Sequence, residues 1–470
     1  MISPGQVLEC WPADRPVAAL VSGSAGAPSP WSRWSLIAEP GEVVLRPRAA
    51  ADDFVPPCLD SSAFGPCARD PASPPMTSGW IACLSYELGR VLEPLAGHRP
   101  DADRRARSLT TPWPDALWAR CPAVLAFDHH AGRWWVGGEP RAAEELRARL
   151  NAAALGKGSR ARPWALGQVE SAWSRPAYLD AVRRVIDYIH AGDVFQVNLS
   201  HVLSAPFHGS ARALAARAWD AAQPWFGAYI EYPDEGPASG AAPCRRAVIS
   251  TSPELLAHID PIDRRIVTRP MKGTRRAGAA HHADLARSPK DAAELNMIID
   301  LMRNDVGRVC VPGSVHVDDP RTIELHARGP AGVLQGVATV RGTLRSDTGP
   351  ADILRAIFPG GSVTGAPKIR AMQIIEELEP HARGPYCGSI GFTGDDGRSA
   401  WNVAIRTALL SGAPATGAQA GALDEFAPGS RLDFPVGAGI VAASDPESEW
   451  RETLDKAATV IGLAGRVPNA

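Results

Sequence analysis

The sequence predicts an α+β fold rich in antiparallel sheet, and three observations predict it. Amphipathic helical stripes recur along the chain, separated by short alternating apolar runs of strand length. Two segments, Pro261-Ile-Asp-Arg-Arg265 and Gly394-Asp-Asp-Gly397, have the composition of hairpin turns. The first third consists of short apolar runs broken by Gly/Pro/Ser clusters rather than long helices. At 470 residues and 45% hydrophobic, the chain can bury a large core.

Taken in order, Gly23 to Pro30 reads as a turn cluster and residues 51–78 as a Pro/Asp/Ser loop. Trp80 to Leu84 and Ala123 to Phe127 read as strands. The latter turns back toward Arg133-Trp-Trp-Val136. Glu139 to Leu150 reads as a helix, and the Ala/Gly/Ser/Arg-rich stretch from Asn151 to about Arg175 marks a boundary. That divides the chain into residues 1–165 and 166–470. Tyr178 to His190 sets Leu179, Val182, Ile186 and Ile189 on one stripe that Gly192 ends. Phe195, Val197 and Leu199 then alternate as a strand. Ala292 to Arg303 and Ile369 to Leu378 are further helices. Ser411 to Ser430, rich in Ala, Gly and Pro, reads as a mobile surface insertion between two strands.

Composition excludes several classes of function. With 49 basic and 51 acidic residues the net charge is −2, which leaves no electrostatic footprint for nucleic acid or an anionic membrane. No apolar run reaches the length of a membrane span, and the N-terminus lacks the basic and apolar regions of a secretory signal. The eight cysteines form no Cys-x-x-Cys pair, and the closest, Cys58 and Cys67, sit in a Pro-rich loop. They read as free thiols of a cytoplasmic protein.

Chemistry concentrates in the last two thirds. Lys272 stands between apolar strand-like segments in Thr268-Arg-Pro-Met-Lys-Gly-Thr274. A crowded lysine loses its proton readily and becomes a nucleophile. Glu254, after Ser-Pro, follows a strand and is a candidate general acid. Asp291 and Glu294 lie three residues apart, as do Glu449 and Glu452, with Lys456 four further on. On helices each pair shares a face, and two facing acidic faces suit a hard divalent cation. Arg406 can fork two bonds onto a carboxylate. Gly437-Ala438-Gly439 can bring backbone N–H groups against an anion. Gly360-Gly361-Ser362 and Gly365 lead into a helix opened by Pro367. Asn304 and Asp305, before Gly307, read as helix-end capping.

Seven blocks in order resemble the chorismate-utilising enzymes, and among them aminodeoxychorismate synthase component I. They are Ala191-Gly-Asp-Val-Phe-Gln-Val-Asn-Leu-Ser200, Ser252-Pro-Glu254, Pro270-Met-Lys-Gly-Thr274 and Asp300-Leu-Met-Arg-Asn-Asp-Val-Gly307. Phe358-Pro-Gly-Gly-Ser-Val-Thr-Gly-Ala-Pro-Lys368, Asn402-Val-Ala-Ile-Arg-Thr407, and Gly437-Ala-Gly-Ile-Val441 with Glu452-Thr-Leu-Asp-Lys456 complete the set. A weaker match covers Leu84 to Pro94.

The resemblance implies an anthranilate-synthase-like fold of two intertwined lobes, largely antiparallel sheet with outer helices. It implies Mg2+ held by Glu294 and Glu452, with Asp291 and Glu449 acting through water. Asp291 stands where the family more often has glutamate. Tyr386, Arg406, Ser362 and the Gly437–Gly439 backbone would hold chorismate, with Lys456 near the metal. Three residues would separate the members. Gln196 replaces the lysine base of the water-installing enzymes. Lys272 stands where anthranilate synthases carry alanine. Gln335 replaces a histidine associated with pyruvate loss. Together these imply amination of chorismate to 4-amino-4-deoxychorismate, toward 4-aminobenzoate and folate. Ammonia would come from a separate glutamine amidotransferase subunit, for which this chain has no motif. An anthranilate synthase large subunit is the alternative. A noncatalytic ligand sensor would have no need of Lys272.

Overall fold

The computed structural model describes residues 1–23, 29–56, 59, 73–96, 113–156, 163–232, 244–326, 332–416 and 421–463. Cys58 and Cys67 lie outside them. The six described cysteines are free thiols.

Period-2 alternation decides the layering. In the strand Gly79–Leu84, Ile81 and Cys83 face one core while Trp80, Ala82 and Leu84 face another. In Arg245–Ser252, Val248 faces the first of these and Ala247 and Ile249 a third. Each strand is thus apolar on both sides, so two sheets stack face to face and helices cover both outer surfaces. Both sheets are antiparallel throughout, one of twelve strands and one of ten. Strands from either side of residue 165 pair within each sheet. Ala18–Val21 pairs with Phe226–Tyr232, and Ser389–Gly394 pairs with Gly79–Leu84. The fold is the expected α+β arrangement of two antiparallel sheets with helices.

The expected helices form: Pro140–Ala154 runs on past Leu150, while Arg175–His190, Pro289–Gly307 and Lys368–Leu378 begin earlier than the sequence reading has them. Ser174 caps Arg175–His190 and Ser288 caps Pro289–Gly307, each with proline in the first turn. The hairpins fall at 261–264 and 395–398, with Arg264 and Gly397 at positive φ.

Three expectations are corrected. Asp305 is no cap: the helix runs on to Gly307, and the Asp305 carboxylate is buried against Lys368 Nζ at 2.6 Å. Such a pair survives burial because each charge has its partner. Asn304 stays exposed. The 411–430 segment is not simply a surface insertion. A strand, Glu425–Ile440, begins inside it, and Asp424 and Glu425 are fully buried. Lastly, Phe195 is 70% exposed, whereas Gln196–Ser210 is buried from its first residue.

Of the points where the chain crosses between the sheets, two are neighbours in space. Pro253-Glu254 carries the chain from Arg245–Ser252 in the larger sheet to Leu255–Asp260 in the smaller. Val403 to Arg406 carries it back, from Ser399–Asn402 to Thr407–Gly412. The crossings are stitched together by Val403 N–H to Glu254 O at 3.0 Å and Thr251 N–H to Arg406 O at 2.9 Å.

Candidate functional site

One cavity of about 860 Å³ opens beside these crossings. Lys272, Glu254, Glu294, Glu452, Asp291, Glu449, Tyr386, Arg406, Ser362, Gly437, Gly439 and Lys456 all line it. Ala438 does not: its side chain points the other way, into the core. The structure therefore gathers every expected site residue but that one around a single cavity.

Lys272 lies in the strand Met271–Arg276, at a register slip against Val333–Thr343. Gly273, at φ +77, makes the slip, and a Cβ there would strike Leu285 and the Asp291 carboxylate. Lys272 Nζ is 4.0 Å from Glu294 Oε2, the nearest carboxylate. Burial pushes the amine below its ordinary value; Glu294 opposes this, and Lys456 adds to the depression. On its far side Gly439 leaves the space, since a Cβ there would come within 2.9 Å of Nζ.

Glu254 is 4% exposed, and burial pushes its carboxyl up to about 7 against the pull of Ser362, Lys272, the Met271 amide and Arg406. Ser362 Oγ donates to Glu254 Oε1 at 2.6 Å. Ser362 thus fixes the acid group as well as lining the cavity. Gly361 and Gly365 beside it pack against Leu301 and the Gln196 carbonyl. Arg406 has φ +51 and, among the described residues, no carboxylate within ion-pair distance. Burial depresses its charge preference and Glu254 opposes that. A guanidinium so placed suits an anionic ligand.

The acidic residues divide by their partners. Burial raises the Glu294 carboxyl; Lys272 and Lys290 lower it, while Asp291 and Glu452 raise it. Glu452 accepts from Lys456 Nζ at 2.7 Å, and the same ammonium donates to Gly437 O at 2.8 Å. Lys456 holds Glu452 below its ordinary value. Glu449 accepts from Ser444 Oγ at 2.6 Å. Asp291 is tied to Arg275 Nη2 at 2.9 Å. No group of three or more His, Cys, Asp or Glu among the described residues is set to hold a metal by itself. Two carboxylates facing across a cavity, with room for water and ligand oxygens, fit the sparse protein ligation of Mg2+.

Gln196 is buried, both its side-chain polar atoms lack a hydrogen-bond partner among the described residues, and it packs beside Gly439. Gln335 lines the cavity, paired with Thr274 across the register slip. Sequence reasoning missed Asn198, Trp225 and His326, which also line it. Asn198 stands in the Ala191–Ser200 block but is not singled out there, and no motif marks Trp225 or His326. Only strand register, with Glu324 opposite Gln335, places His326 on the same face as Gln335.

A two-sheet α+β body with a basic and acidic cavity at its crossing turns defines a binder of small anions. The chain belongs to the chorismate binding enzymes, whose family description matches residues 59–462. It is 37% identical over 417 residues to anthranilate synthase component 1 of Thermus thermophilus, covering 86% of this chain and 81% of that one. It is 36% identical over 392 residues to aminodeoxychorismate synthase component 1 of Klebsiella aerogenes, covering 81% and 76%. The crystal structure of anthranilate synthase component I from Streptococcus pneumoniae superposes with a TM-score of 0.72, at 24% identity, over 93% of each chain. No described helix is long and apolar enough to cross a membrane.

Proposed function

We propose that this chain converts chorismate and ammonia to 4-amino-4-deoxychorismate, as an aminodeoxychorismate synthase component I. The observation that carries this reading is the amine of Lys272, depressed by burial within the cavity, with its nearest carboxylate, Glu294, 4.0 Å away. Relatives named for either amination match at nearly equal identity, so the residues at the site discriminate.

Arg406, Tyr386 and the Gly437–Gly439 backbone hold the enolpyruvyl carboxylate. Glu294 and Glu452 would hold a Mg2+ ion, whose chemistry is to bind the ring carboxylate and draw electron density from the ring. Neutral Lys272 Nζ attacks ring C2. The C2–N bond forms, the two conjugated ring double bonds each shift one position toward C4, and the C4–O bond breaks. Glu254, protonated in good part at neutral pH, gives its proton to the departing hydroxyl, which leaves as water. Ammonia then attacks C4, both double bonds shift back, and the C2–N bond to lysine breaks. Lysine departs with a proton from the incoming nitrogen. The net change is ammonia in and water out, with the enolpyruvyl group retained.

A separate glutamine amidotransferase subunit supplies ammonia in this reading. The purified chain should then use ammonium directly and glutamine only when that partner is added. The test is mass spectrometry of products from chorismate, ammonium and Mg2+. Anthranilate with stoichiometric pyruvate would refute the assignment in favour of an anthranilate synthase large subunit. Lys272→Ala should abolish C4 amination, and withholding ammonia should trap a substrate-sized adduct on the Lys272 peptide. An adduct elsewhere, or wild-type turnover in the alanine variant, overturns the covalent route.

A further inference from the structure

The cavity lining includes polar groups that the mechanism above leaves unused. On the face shared by His316–His326 and Val333–Thr343, Glu324 sits directly across from Gln335, and His326 is the next residue on that face. All are buried or nearly so, with His326 at 4% and Gln335 at 3% exposure. Gln335 Oε1, Glu324 Oε2 and both ring nitrogens of His326 have no hydrogen-bond partner among the described residues. A buried polar group left so costs stability unless a ligand or water completes it.

The unmatched atoms share one chemistry. Arg269 binds the other oxygen of Glu324, which orients that carboxylate. Glu324 Oε2 faces His326 Nε2 at 3.5 Å, so the proton of a neutral ring belongs on Nε2 and the Nδ1 lone pair is left over. Burial, with Arg406 and Arg269, holds the imidazole below its ordinary value against Glu324, which keeps it neutral. The Trp225 ring closes one side of His326 at 4.2 Å. What remains on these two cavity-lining residues is an acceptor set, Gln335 Oε1 and His326 Nδ1, both buried and backed by a carboxylate. A carboxylate ligand has no hydrogen to give such a set. Ammonia has N–H donors for each acceptor and keeps its lone pair for attack.

We propose that His326 and Gln335, with Glu324 orienting His326, form the subsite that holds ammonia for attack on the ring. The proposal rests on the amination reading only in that ammonia is the nucleophile. It does not depend on which ring carbon is attacked. Glu324 and Arg269 are positioning residues, acting through His326.

The test uses the full chain with ammonium chloride as nitrogen source, saturating Mg2+, and rates followed over the ammonium and chorismate ranges separately. His326→Ala and Gln335→Leu should each raise the KM for ammonium about tenfold, the worth of one lost buried hydrogen bond. The KM for chorismate should stay within about twofold, by the same reasoning. His326→Gln, which restores an acceptor on a side chain of similar reach, should recover part of the ammonium affinity. Retention of the Lys272 adduct without ammonia establishes that each variant keeps a folded site. Should His326→Ala fail to fold, Gln335→Leu carries the same measurement. An unchanged ammonium KM in adduct-forming variants overturns the proposal. So does a parallel rise in the chorismate KM, which would assign the pair to a substrate hydroxyl instead. If the product proves to be anthranilate, the C4 reading fails while the ammonium KM still judges the subsite.

Discussion

Glu254→Gln tests whether burial, rather than proximity to Lys272, sets the acid group. The carboxyl stands at about 7 against an ordinary 4.5, a raised value in the folded state. Between those values the folded protein binds more protons than the unfolded chain, so stability falls as pH rises. The contribution is fully present below about 4.5 and is lost as pH climbs through about 7. From pH 5 to pH 8 the loss is about 3 kcal/mol, at roughly 1.4 kcal/mol per pH unit. Glutamine keeps the shape and the bond from Ser362 Oγ but cannot ionise. The variant should therefore gain about 3 kcal/mol on the wild type between pH 5 and pH 8, whatever fixed cost its amide carries. Urea melts of both proteins at the two pH values measure the difference directly. Turnover of the variant should fall about a hundredfold or more, the usual range for a lost general acid. A stability difference that does not change with pH would show that Glu254 is ionised at neutrality and refute the reasoning.

Other expectations follow from single contacts. Gly439→Ala places a methyl 2.9 Å from Lys272 Nζ, and should suppress adduct formation while the thermal midpoint moves little. Glu294→Gln or Glu452→Gln should raise the Mg2+ requirement of turnover well beyond Asp291→Asn, because Asp291 is already committed to Arg275. Full activity in excess chelator would sink that idea. His201 stacks on Trp450 at 4.6 Å and its Nε2 lies 2.8 Å from Thr453 Oγ1, which docks the helix Pro446–Lys456. His201→Ala should cost about 2–4 kcal/mol in denaturant melts and raise the Mg2+ requirement. Lys368→Met leaves Asp305 buried without its partner and should cost about 3–5 kcal/mol, with Asp305→Asn in the same background recovering part of it.

The sequence by itself determined the α+β class, most helices, both hairpins and most of the candidate residues that meet in the cavity. Stripes, caps and turn residues act over a few positions, so they are written locally. Lys272, Glu254, Glu452 and Arg406 each stand in a short block, and Glu294 in an acidic pair at i, i+3, that marks them without any neighbour in space. What those groups can do was decided by tertiary structure. The rise of Glu254 comes from burial at a crossing between sheets, and its hydroxyl partner Ser362 lies 108 residues away. Asp305 looked like a cap because the local sequence before Gly307 is that of a helix end, and Lys368, 63 residues on, makes it a buried ion pair instead. His326 gave no local signal, because its place beside Gln335 depends on strand register. Register is set by long-range pairing and side-chain burial, which no short motif encodes.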